Sequence, residues 1–119
     1  VARFGPEALY SVINRHNHAN WLLAAGQVQR SAQEQQALLE IADRTLGRAH
    51  YVTAEILRGL AEAELAQGHV AAARGHAEAA VQAMREVYGG DRDEPLRSVR
   101  ETLEKVEKSG QQARAAQPS

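Results

Sequence analysis

The sequence predicts an all-α fold in which two tandem antiparallel helical hairpins are closed by a C-terminal capping helix, a short stretch of α-solenoid. Three observations predict it. The 44% hydrophobic content is carried by Ala and Leu, with few β-branched residues and only Phe4, Tyr10, Trp21, Tyr51 and Tyr88 as aromatics, which is a helix composition. Apolar residues recur at helical spacing along the chain. An internal repeat is visible at an offset of 42 residues, which carries Ala19 onto Ala61, Ala24 onto Ala66, Gly26 onto Gly68, Val28 onto Val70, Ala37 onto Ala79 and Leu46-Gly47 onto Tyr88-Gly89.

Each unit reads as two helices. Pro6 suits a first helical position, and Leu9, Val12, Ile13, Ala19, Leu22 and Leu23 follow at helical spacing until Gly26 stops the run. The second helix carries Ala32, Leu38, Leu39, Ala42 and Leu46 and ends at Gly47. Its start is open between Gln29 and Ser31, because Ser31-Ala32-Gln33-Glu34 is a formal capping box. A third helix is expected from about Tyr51 to Gln67 and a fourth from about Val70 to Tyr88, broken by Gly68 and by Gly89-Gly90. The fifth, from Glu94 to Ser109, sets Leu96, Val99, Leu103 and Val106 against a charged face of Arg97, Arg100, Glu101, Glu104, Lys105 and Lys108. One apolar stripe under a polar exterior is what the end of a helical stack requires. The expected organisation is one domain over 1–109, with a first repeat at about 6–47, a second at about 51–89 and the cap at 94–109. Residues 110–119, in which alanine is the one apolar type, are expected to be disordered.

Composition excludes several function classes. Lys and Arg alternate with Asp and Glu to a net charge of -1, so no basic stripe awaits a phosphate backbone and nucleic acid is not an expected partner. No apolar run has the roughly 18–20 residues that span a bilayer, so no membrane partner is expected either. Cysteine is absent, which removes disulfides and thiolate metal sites and fits a cytoplasmic location. The richness in Ala, Arg and Gly suggests a bacterial source. The chain opens at Val1 and its one Met is the internal Met84, so it is expected to be a piece of a longer protein.

With Gly68 as the turn between two helices, the segment from Ala54 to Met84 resembles a tetratricopeptide repeat: Leu57, Leu60 and Ala61 take the inward positions of its first helix, and Ala73, Ala77 and Ala80 those of its second. The 42-residue period, the junctions Leu46-Gly47-Arg48-Ala49-His50 and Tyr88-Gly89-Gly90-Asp91-Arg92, and the stretch Leu57-Arg58-Gly59-Leu60-Ala61 are similar to the kinesin-light-chain variety. The first repeat departs from the pattern, with Arg15 and His18 where apolar residues are usual and Ser31 in place of a small alanine. The resemblance, which spans about Leu9 to Lys108, implies a non-enzymatic scaffold or adaptor module, part of a larger regulatory or signalling protein, that binds a peptide or partner domain in a concave groove. By the same resemblance the groove is lined by His16, Asn17 and Asn20 of the first repeat and Arg58 and Glu62 of the second.

The residues themselves point away from catalysis. Ser11, Ser31 and Thr53 stand in no nucleophile motif, no glycine loop cradles phosphate, and Glu62 and Glu64 diverge on their helix. His16 and His18 are two apart, where zinc-binding helices place ligands at i and i+4, so no metal and no cofactor is expected. Amide side chains such as Asn17 and Asn20 can pair with an extended backbone, and a guanidinium such as Arg58 can take a carboxylate. Trp21 and Tyr10 are expected in the core, the alternative being anchors at an interface. Two rival functions stand beside the adaptor: self-association through the exposed first-helix face, and a small helical enzyme or ligand carrier.

Overall fold

The computed structural model describes residues 6–116, which form five helices with no strand among them: α1 (Pro6–Ala24), α2 (Val28–Thr45), α3 (Tyr51–Ala66), α4 (Val70–Tyr88) and α5 (Asp93–Ala116).

The two internal turns are built alike. At Gly26 (φ 86°) the amide of Gln27 donates to the Leu22 carbonyl and that of Gly26 to Leu23; at Gly68 (φ 85°) the amide of His69 donates to Glu64 and that of Gly68 to Leu65. Both are Schellman caps, whose left-handed residue is cheap only for glycine. The chain then passes straight into the next helix at Val28 and at Val70. That settles where α2 begins: Gln27 occupies the cap position, and Ser31, one turn inside, is buried and donates its hydroxyl to the Ala19 carbonyl at 2.7 Å. The capping-box reading of Ser31 is therefore set aside.

Side-chain pairs give the relative directions. Arg15 with Glu34 and Ser31 with the Ala19 carbonyl run α2 antiparallel to α1, and His76 with Glu64 does the same for α4 and α3. The contacts from α3 to α5 instead link residues 40 to 43 apart, Glu55 with Ser98 and Glu62 with Thr102 and Lys105, so these helices run parallel. α1 and α3 are parallel too, since His16 meets Gly59 while Leu9 and Tyr51 share one depression. α1, α3 and α5 thus lie side by side in one direction.

The core follows from this. Leu38, Ile56, Leu57, Leu60, Met84, Leu96, Val99 and Val106 are the largest fully buried apolar side chains. Ala61 and Ala63 of α3 and Ala73, Ala77 and Ala80 of α4 are fully buried as well, and their small size lets the two helices approach closely. On α5, Leu96, Val99 and Val106 are completely covered and Leu103 partly so. Each such side chain contributes roughly 1.5–3 kcal/mol, enough to hold a helix whose other face is charged.

Two expectations are corrected. α5 does not stop at Ser109: it continues through Gly110 to Ala116. Gln111, Gln112, Ala113 and Arg114 are good helix formers, and Gly110 lies against Val70 at the start of α4. The last three positions, 117–119, are outside the described residues. Trp21 and Tyr10 are not core residues, being 61% and 65% exposed. They point from the side of α1 on which no other helix packs.

Candidate functional site

Where α1 and α3 lie parallel, they leave an open groove of about 510 Å³ beside the N-terminal half of α3. One end is apolar, made by Leu9 and Ile13 of α1 with Tyr51 and Val52 of α3; the other is polar, made by His16, Asn17, Asn20, Glu55 and Arg58. His50 closes the apolar end. It is the N-cap of α3, its Nδ1 accepting from the Val52 amide at 3.0 Å, which ties the position of Tyr51 to the helix start.

His16 is held by a ring of three hydrogen bonds. Its Nδ1 is 2.9 Å from Gln35 Oε1, its Nε2 is 3.3 Å from Asn20 Nδ2, and Gln35 Nε2 donates to Asn20 Oδ1 at 3.2 Å. Gln35 Oε1 accepts only, so Nδ1 carries the proton and Nε2 accepts from Asn20: the ring fits the neutral imidazole alone. Burial lowers the His16 pKa from 6.5, opposed in part by the Gln35 hydrogen bond and the Glu55 charge, and keeps it in that form. The ring also satisfies Gln35, a fully buried amide that would otherwise be costly.

Arg58 lies across the groove mouth with Nε and Nη2 both 3.1 Å from Glu55 Oε2. The two side chains are 25% and 16% exposed, so the pair is partly screened and its net charge is zero. Glu55 also raises the Tyr51 pKa, more than burial of the phenol does. Glu62, one turn beyond Arg58, is not in this groove. It faces α5, accepting from Thr102 Oγ1 at 2.8 Å and from Lys105 Nζ at 2.9 Å.

The structure therefore brings together His16, Asn17, Asn20 and Arg58 and sets Glu62 apart. Of the four, His16 is 7% exposed and reaches the groove with little more than a ring edge. Sequence reasoning missed Leu9, Ile13, Tyr51 and Glu55. They were within reach, because stepping back one and two turns from His16 and from Arg58 leads to Ile13 and Leu9 and to Glu55 and Tyr51. It also missed Gly59 and Gln35, the contact that sets how closely α3 lies on the first hairpin. A second depression of about 500 Å³, between α2 and the α3–α4 turn, is shallow and lined mainly by Gln29, Gln33, Gln36 and Gln67. It also sets Ala32, Ala37 and Leu60 beside Glu40, Glu64 and His69, but it is the more open of the two, and its Glu64 is taken up by His76 at 2.6 Å.

Among the described residues no group of three or more His, Asp or Glu is placed to hold a metal ion, and no helix is long and apolar enough to cross a membrane. Comparison with protein-family models, with curated proteins and with solved structures gives no match. The functional reading therefore stands on geometry.

Proposed function

We propose that the chain is a tetratricopeptide-like protein-interaction module without catalysis of its own, and that it receives an extended peptide segment in the groove between α1 and α3. The observation that carries this reading is the groove itself, with an apolar half and an amide-and-guanidinium half on two parallel helices. An extended backbone offers alternating donors and acceptors, which Asn17 and Asn20 can meet. An apolar side chain one or two residues away fits the end made by Leu9, Ile13 and Tyr51. The repeated turns at Gly26 and Gly68 and the parallel order of α1, α3 and α5 support the tetratricopeptide-like part of the proposal.

The groove is balanced in charge, because Arg58 is already shared with Glu55. A ligand carboxylate would compete with Glu55 for the guanidinium, so the expected affinity is modest and falls with salt. The test is to select peptides from a random display library on the full chain and titrate a winner by calorimetry. Arg58→Ala and Asn20→Ala should each weaken binding by about 1 kcal/mol, and the distal Lys108→Ala should leave it unchanged. Equal affinities for all the proteins would move the binding surface away from the groove.

A further inference from the structure

The parallel helices α1, α3 and α5 can be compared position by position. On α3 the residues Val52, Ile56, Gly59 and Ala63 form one buried face, with Gly59 against Gln35 and His16 of the preceding hairpin. On α5 the corresponding Val99, Thr102 and Val106, at the 43-residue offset set by the Ser98–Glu55 and Lys105–Glu62 contacts, are buried too. On α1 the corresponding residues, 42 positions before those of α3, are Tyr10, Asn14, Asn17 and Trp21, and all four are exposed. The face that two helices use to pack on a neighbour is open on the third.

Three features say what covers it. Tyr10 and Trp21 are the most exposed large apolar side chains of the described residues, and Trp21 is held by stacking on His18, ring centres 5.9 Å apart and 18° from parallel. A preset aromatic anchor loses little freedom when it is covered. The face is also free of charge: Arg15, the one charged residue between Ala8 and Ala24, lies elsewhere on the helix and pairs with Glu34. Nothing on it repels an identical copy. Finally, the spacings of the stripe are four, three and four, which read the same from either end. If two copies of α1 cross antiparallel about a two-fold axis between Asn14 and Asn17, Tyr10 of one falls opposite Trp21 of the other, and Asn14 opposite Asn17. Aromatic meets aromatic and amide meets amide, the self-complementarity that an isologous contact demands. The opposite end of the stack is no substitute partner, since α5 presents the exposed, charged Glu94, Arg97 and Glu101 there.

We infer that the exposed stripe Tyr10–Asn14–Asn17–Trp21 is the contact surface for a second copy of this chain, paired antiparallel through α1. This inference does not rest on the peptide-groove reading; only Asn17 borders both surfaces. The stripe spans about 16 Å of helix, so the contact is small and the dimer weak, with a Kd on the order of 10–100 μM.

Sedimentation equilibrium on the full chain tests it with two double variants, Asn14→Glu/Asn17→Glu and Asn14→Lys/Asn17→Lys. Both introduce better helix formers at exposed positions, so circular dichroism should match that of the parent. The expected result is a dimer for the parent, a monomer for each variant alone through like-charge repulsion, and a restored dimer when the two variants are mixed. Trp21→Lys should also give a monomer. A parent chain that stays monomeric to about 1 mM overturns the inference and leaves the stripe to a partner other than itself. Variants that still dimerise alone overturn it by placing the contact elsewhere, and a mixture that stays monomeric overturns the antiparallel pairing.

Discussion

A methyl group added at Gly59 would run into the side-chain amide of Gln35 and stand 3.1 Å from the His16 ring. Gly→Ala inside a helix ordinarily gains up to about 1 kcal/mol, but Gln35 is fully buried and bonded at both ends of its amide, so it cannot swing aside cheaply. Overpacking costs about 1–3 kcal/mol and wins. Gly59→Ala should therefore destabilise the protein by about 1–2 kcal/mol in urea denaturation; a gain in stability would mean that the amide ring is not fixed. His16 gives a pH dependence of definite sign. Its folded-state pKa lies below the ordinary 6.5, so the unfolded chain takes up the proton first as pH falls. The contribution of the neutral ring is complete above about pH 6.5 and is lost as pH drops through that value toward the lower folded-state pKa. His16→Asn, which keeps a donor near the Nδ1 position, should flatten the melting temperature between about pH 7 and pH 5 relative to the parent. Parallel curves for the two proteins would remove His16 as the cause.

Among the elements, α5 makes the sharpest comparison, because Leu96 is fully covered while Leu103, on the same stripe, is only partly so. Leu96→Ala should cost about 2–5 kcal/mol and Leu103→Ala clearly less, near about 1 kcal/mol, by thermal or chemical denaturation. The reverse order would mean that α5 sits in another register. The helix order was legible in the sequence because glycine alone stops each run: Gly26 and Gly68 take positive φ, and the apolar spacing on either side is unambiguous. The continuation of α5 to Ala116 was not, because a polar, alanine-containing run reads alike as coil or as the exposed end of a helix. Packing against a neighbour, as at Gly110 and Val70, makes the difference. Trp21 was misjudged for a related reason: helical spacing gives the face a residue shares but not whether another helix covers that face. Arg58 and Glu62 were placed in one groove by the resemblance alone, yet they diverge, Arg58 to the depression shared with α1 and Glu62 to α5.

At the scale of the whole fold, α3 is, among the described residues, the one helix that touches all four others, and its buried residues run from Val52 to Ala63. α1 packs only on α2 and α3. Amide hydrogen exchange should therefore be slowest in α3, at the rate of global unfolding, and faster in α1, which can fray while the rest remains folded. Equal protection of α1 and α3 would indicate a chain that opens in a single step. The position of α1 relative to α3 is also readable without a label. The His16–Asn20–Gln35 ring lies within the first hairpin, α1 and α2, and Gly59 of α3 packs against it. A ligand or temperature change that spreads α1 from α3 therefore draws Gly59 off the His16 ring and leaves those hydrogen bonds in place. Opening of the groove thus changes what stands beside the imidazole while its hydrogen bonds persist, and the carbon-bound Hε1 of His16 serves as a native gauge of the aperture: its proton resonance should move as Gly59 withdraws, while the ring nitrogen-15 resonances stay still.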